Sequence, residues 1–301
     1  MNNISIIDAP SNLGLKPSPN GKLSGVIRLP DALNKAGLRE RLGAEYEGQI
    51  TVPPYSPERD KELLVLNAYS IRDFSLRLAS KVEDSIRRER FPLVLGGDCS
   101  ILLGNLLALK RLGRYGLFFI DGHTDFLELN GSQTGGVAGM DLALATGRGA
   151  ELLTNIEGSK PLVLEQDVVV FGYRDMEEAS LSIQDLSETD MTLYNLHQVR
   201  RLGIKQAAAR AIQKLKNNNL SGFWIHLDAD VLDDEIMPAV DSRQPGGMSY
   251  GELSELLRIL LSSGSAVGMH IGIFDPDMDF DGTITQAFSD ALVDGFTLHA
   301  D

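Results

Sequence analysis

Short apolar runs alternate with longer amphipathic ones from one end of the chain to the other. Runs such as Phe91-Pro-Leu-Val-Leu95 and Leu117-Phe-Phe-Ile120 are β-branched, aromatic or leucine-rich, with almost no polar interruption. Runs of this kind suit strands covered on both faces, as in a parallel sheet between layers of helices. The pattern predicts strands at 4–8, 91–95, 117–121, 168–172, 192–195, 222–228 and 266–273. It predicts helices at 24–42, 61–90, 101–112, 139–146, 204–217, 250–262 and 284–298. No repeat, low-complexity tract or linker breaks this alternation, so residues 1–301 read as one α/β domain. Two Gly-, Ser- and Asn-rich stretches, 12–25 and 131–139, read as loops of a functional site, and the Pro-rich stretch 52–57 as a surface loop.

Composition narrows the function classes. The net charge of −14 repels a phosphate polyanion, which argues against nucleic acid as a partner. No apolar run approaches the ~18 residues of a membrane helix, so no membrane partner is expected. The N-terminus has no basic segment followed by an apolar one, and the single Cys99 precludes an internal disulfide. A cytoplasmic protein is expected.

The candidate chemistry lies in residues spaced two apart. Asp121-Gly-His123-Thr-Asp125 follows one predicted strand, and Asp228-Ala-Asp230 follows another. Extended chain points alternate side chains the same way, so each segment offers its ligands on one side. In open α/β sheets ligands bind beyond the carboxyl ends of the strands, where both segments lie. Five such ligands can hold two divalent cations if some carboxylates bridge. Gly96-Gly97-Asp98-Cys99-Ser100 links a third strand to a helix. Cys99 at a helix start favours a thiolate, a good ligand for borderline metals; the alternative is a small buried residue, as most free cysteines are. His226 shares a strand face with Asp228 and Asp230 and reads first as a packed core histidine, with a hydrogen bond to a ligand as the alternative. His197 and His270 read as structural in the same way.

Together with Pro245-Gly-Gly247, these motifs make the chain resemble the ureohydrolase superfamily of arginases, agmatinases and formimidoylglutamases. The resemblance runs from Ile4-Ser-Ile-Ile-Asp-Ala-Pro10 through Asp275-Pro276. It implies a three-layer α/β/α sandwich with an eight-stranded, mostly parallel sheet and two Mn²⁺ ions at the strand ends. It implies Asp121 and Asp228 as bridging carboxylates that position a hydroxide, His123 and Asp230 on one ion, and Asp125 with Cys99 on the other. Cys99 stands where the family usually has histidine. The implied reaction is hydroxide attack on a planar guanidino carbon, with loss of an amine. Asp175 and Glu177 match family contacts to a substrate α-amino group, and Ser132 and Gln133 lie where the family binds the α-carboxylate. The oligomeric state is not legible.

Three departures bear on the substrate. Besides Cys99, Ala138 stands where arginases carry a proton-shuttling histidine, and Ile273 where a glutamate pairs with the guanidinium. A less basic substrate needs both groups less. A branch acting on Nω-hydroxy-L-arginine is similar in its cysteine-for-histidine change and its missing shuttle, so the resemblance favours that substrate, giving hydroxyurea and L-ornithine. The alternatives are arginase, agmatinase, formimidoylglutamase or guanidino-acid hydrolase activity, a non-catalytic protein of this fold, or a related single-zinc deacetylase-like hydrolase.

Overall fold

The computed structural model describes residues 3–127, 132, 134–174 and 186–297. Eight strands form one sheet in the order β2-β1-β3-β8-β7-β4-β5-β6, and every pairing is parallel. They are β1 (Ile4–Asp8), β2 (Glu45–Gln49), β3 (Phe91–Leu95), β4 (Gly116–Ile120), β5 (Val168–Phe171), β6 (Thr192–Tyr194), β7 (Phe223–Asp228) and β8 (Ala266–Gly272). The expected mostly parallel sheet is therefore wholly parallel among the described residues.

Alternate strand residues feed two cores. Phe118, Ile120, Ile225, Leu227, Met269 and Ile271 pack on one face with Leu256, Leu260, Phe288 and Leu292. Leu117, Phe119, Val168, Val170 and Trp224 pack on the other with Phe74, Leu78, Leu103 and Leu107. Helices thus cover both faces of the sheet, giving three layers. The continuous hydrophobicity of the central strands follows from this double burial.

The helices are α1 (Leu29–Lys35), α2 (Leu38–Leu42), α3 (Ala68–Arg87), α4 (Leu102–Leu112), α5 (Asp141–Ala145), α6 (Glu151–Thr154), α7 (Leu196–Leu202), α8 (Ile204–Asn217), α9 (Tyr250–Ser262) and α10 (Thr283–Phe296). The single helix expected at 24–42 is split, because Gly37 takes φ +82° between α1 and α2. The helix expected from residue 61 begins only after Asn67. That side chain accepts from the backbone of Ser56 and donates to the carbonyl of Leu13, which ties the preceding segment into a loop. The strand β2 was missing from the sequence pattern: Glu-Tyr-Glu-Gly-Gln is polar and lies on the edge of the sheet, so it carries no core signature.

The turn after β3 is locked to the loop after β1. Asp98 N–H donates to the carbonyl of Ser11 at 2.9 Å, and Ser11 Oγ donates to Asp98 Oδ2 at 2.9 Å. Gly97 lies against the same backbone, and a Cβ there would run into the Ser11 carbonyl. We expect Gly97→Ala to cost about 3 kcal/mol or more, because both loops are held by buried bonds and neither can retreat. Urea unfolding of the metal-free chain measures this.

Candidate metal centre

The registers of the inner strands bring the distant aspartates together. Ile120 of β4 pairs with Leu227 of β7, so Asp121 and Asp228 follow side by side at the carboxyl ends of neighbouring strands. β8 on the other side of β7 pairs with β3, which delivers Gly96 to Cys99 to the same place. Three overlapping groups result, each with ligand atoms within 4.8 Å of one another: Cys99, Asp121, His226 and Asp228; Cys99, Asp125 and Asp141; and Asp121, His123 and Asp230. All six metal ligands implied by the sequence lie in these groups.

Backbone donors aim the carboxylates. The Asp228 side chain accepts from Asp230 N–H at 2.7 Å, Asp121 accepts from His123 N–H at 2.6 Å, and Asp230 accepts from Gly122 N–H at 3.1 Å. Each bond uses one oxygen and leaves the other for the cluster. Arg174 fixes the segment from behind, donating to the carbonyls of Asp230, Leu232 and Gln244 at 2.8, 3.1 and 2.9 Å. His123 Nδ1 lies 2.9 Å from Asp230 Oδ2, and its Nε2 lies 3.1 Å from Ser242 Oγ.

His226 is wholly buried and does more than fill the core. The Trp224 indole donates to His270 Nδ1 at 2.8 Å. An indole N–H can only donate, so the His270 proton sits on Nε2 and points to His226 Nδ1 at 2.7 Å. The His226 proton is thereby placed on Nε2, facing Asp121 Oδ2 at 3.3 Å. The ring stacks on Phe119 at 4.1 Å between centroids, which holds its plane. His270 itself is kept from protonating by burial and by His226 beside it. A chain of three rings thus orients one oxygen of Asp121.

Without cations the cluster is electrostatically unbalanced. Among the described residues no lysine or arginine pairs with Asp121, Asp125, Asp228 or Asp230. Burial, then the neighbouring carboxylates, raise the acids of Asp125 and Asp228 well above the usual range. Burial also acts on Asp121, but hydrogen bonds from His123 and His226 outweigh it and hold that carboxyl at about 2. The His123 imidazole resists deprotonation, because Asp230 and Asp121 outweigh its own desolvation. Cys99 runs opposite to the thiolate expected from its helix-start position. Burial and then Asp228 push the thiol up, and Sγ donates to Asp228 Oδ2 at 2.9 Å. The short turn Cys99–Ile101 gives too little dipole to offset four nearby acids. A buried set of carboxylates, an imidazole and one sulfur with no lysine or arginine partner among the described residues is a donor set that fits divalent cations.

The cluster forms the floor of a cleft of about 410 Å³, lined among others by His123, Asp125, Asp228 and Asp230. Ala138 and Ile273 stand in its wall, at the two positions where the resemblance implies a histidine and a glutamate in arginases. Ile273 adopts φ +72°, a strained conformation for a β-branched residue, and its N–H donates to Gly97 O at 2.7 Å. Ser132 is buried, with its hydroxyl accepting from Gly135 N–H at 3.0 Å; Thr134 and Gly136 carry that loop into the wall. Gln133, Asp175 and Glu177 lie outside the described residues.

Two acids at the site carry no clear signal in the sequence pattern. Asp241 stands accessible in the cleft wall, its carboxyl pushed up to about 6 by the protein packed around it and then by Asp230. Asp141 heads α5 and is wholly buried. An acid opening the apolar run Leu142-Ala-Leu-Ala145 was the available signal for the second; the first had none beyond its nearness to Pro245.

Comparison with known proteins agrees with this geometry. The model of the Arginase family matches residues 5–297. The arginase of Bacillus subtilis (strain 168) is 32% identical over 282 residues, covering 92% of this chain and 91% of that protein. The arginase of Staphylococcus aureus (strain COL) is 32% identical over 295 residues, covering 95% and 94%. A crystal structure of Bacillus subtilis arginase superposes with a TM-score of 0.87 at 28% identity, covering 99% of both chains. With the match spanning nearly the whole sequence, the chain belongs to the arginase family, the metal-dependent ureohydrolases that act on amidino C–N bonds.

Proposed function

We propose that the chain is a binuclear manganese amidinohydrolase whose best substrate is Nω-hydroxy-L-arginine, split into hydroxyurea and L-ornithine. The observation that carries the choice of substrate is the apolar wall: Ala138 and Ile273 both line the cleft beside the carboxylates. A guanidinium is always cationic near neutral pH, so its burial calls for a carboxylate partner. An N-hydroxyguanidine is less basic, because the hydroxyl withdraws electrons, and it enters such a wall at lower cost.

When bound, two divalent cations supply hydroxide near neutral pH and polarise the amidine. Asp121, Asp228, Cys99, Asp125, His123 and Asp230 would hold them. Trp224, His270 and His226 keep Asp121 in one orientation through the cycle. Manganese suits the predominance of carboxylate donors, and Cys99 biases one position toward softer ions. A single-zinc site would leave Asp121, His123 and Asp230 without a counter-ion.

Arginine is the second reading. It is favoured by Asp241, a wall carboxylate able to face a guanidinium, and by the arginase names of the relatives. Turnover of Nω-hydroxy-L-arginine, L-arginine, agmatine and formimidoylglutamate by the Mn²⁺-supplied protein separates the readings. The hydroxyarginine reading expects the highest kcat/KM for the first; L-arginine as best substrate overturns it. Ile273→Glu is expected to raise the arginine-to-hydroxyarginine ratio of kcat/KM roughly 10- to 100-fold, the worth of one charge-assisted pair. It also places a longer, unbranched side chain on the strained backbone.

A further inference from the structure

Asp141 is a buried acid with no lysine or arginine partner among the described residues. It is 0% exposed, and neither oxygen makes a hydrogen bond of ordinary geometry. A carboxylate left in this state is costly, and native folds rarely keep one without a use. Its oxygens face the cluster: one lies within 4.8 Å of Cys99 Sγ and of an Asp125 oxygen. His226 Nδ1, 4.0 Å from Asp141 Oδ2, cannot donate to it. That nitrogen already accepts from His270 Nε2, in the chain whose proton positions the Trp224 indole sets. Beyond loose contacts to the Leu142 backbone and the Asp125 carboxyl, no described group satisfies Asp141, and what it faces is two donors that the family pattern places on one metal ion.

We propose that Asp141 is itself a metal ligand, closing the coordination of the Cys99 and Asp125 ion from the buried side while Asp125 closes it from the cleft. The proposal rests on the reading of this cluster as a two-cation site. It makes the two positions unequal. One gathers a sulfur and additional carboxylates, and the other keeps His123 and Asp230. The first is then the tighter position, and the one whose occupancy Cys99 reports.

The test is binding, not turnover. Metal-free protein is titrated with Mn²⁺ by calorimetry, and with Co²⁺ while following the near-ultraviolet absorption of a thiolate bound to cobalt. Cys99→Ser should abolish that absorption, which assigns it to this ion. Asp141→Asn keeps the volume and removes the charge. It should weaken one of the two ions at least roughly tenfold, leave the other unchanged, and shift the cobalt titration that Cys99 reports. If the variant does not fold, Asp141→Ser takes its place with the same readings. Wild-type protein that binds two ions, with Asp141→Asn binding both as tightly or more tightly, overturns this proposal alone. Wild-type protein that takes up neither Mn²⁺ nor Co²⁺ overturns it together with the metal reading.

Discussion

Asp228→Asn is expected to lower kcat/KM for the best amidine substrate by roughly 1000-fold or more in Mn²⁺-supplied protein. The side chain is 2% exposed and sits at the centre of the cluster. It accepts from Asp230 N–H and Cys99 Sγ, and it follows β7 directly beside Asp121. An amide keeps the shape and one acceptor oxygen, so the strand end should hold its form. It loses the negative charge that the proposed two-cation site would use. Several kcal/mol of transition-state stabilisation go with that charge, and each 1.36 kcal/mol is tenfold in rate. Steady-state kinetics measures the loss, and circular dichroism shows whether the chain stays folded. A folded variant within tenfold of wild type would remove Asp228 from the reaction.

The second large effect is on stability. At about 1000-fold excess over Kd, one bound ion stabilises by about 4 kcal/mol, which in a chain of this size is worth roughly 6 °C in Tm. The sign of the pH dependence follows from the acids. Asp125, Asp141 and Asp228 keep their protons in the metal-free fold above the ordinary value of 3.8. The unfolded chain releases those protons as pH rises past about 4, so stability falls with rising pH above that point. His123, raised from 6.5, adds a loss of the same sign above its unfolded value. Asp121, lowered to about 2, acts in the opposite sense only between that value and 3.8, and His270, held well below 6.5, opposes the trend up to 6.5 but is outnumbered by the three acids and His123. Metal-free protein should therefore have a lower Tm near pH 8 than near pH 5, and Mn²⁺ should lift Tm more at the higher pH, because binding displaces the protons. Scanning calorimetry with and without chelator tests this. A metal-free Tm that rises from about pH 5 to about pH 8 contradicts the assigned proton states.

Helix α3 and the edge strand β2 show where local pattern ends. Leu78 and Val82 recur at helical spacing and mark α3 wherever it is placed, yet its start was set by Asn67 bonding to Leu13, far off in sequence. β2 is polar and exposed, so only its pairing with β1 makes it a strand. Helix α8 coincided with its predicted span, 204–217, because its apolar face and its breakers are all local.

The same division runs through the site. The alternation in Asp121-Gly-His123-Thr-Asp125 and Asp228-Ala-Asp230 is a property of extended chain, so the donors and their common side were set by residue order alone. Which donors meet was a matter of register. Ile120 opposite Leu227, and His226 opposite His270, put Asp121 beside Asp228 and a histidine pair beneath them. Asp141, Asp241 and the Trp224 indole entered only there. Each acts through a neighbour more than ten residues away, and no local spacing encodes such a meeting. Residue order determined the chemistry on offer; strand pairing decided the company it keeps, because hydrogen-bond register places side chains that periodicity can only point.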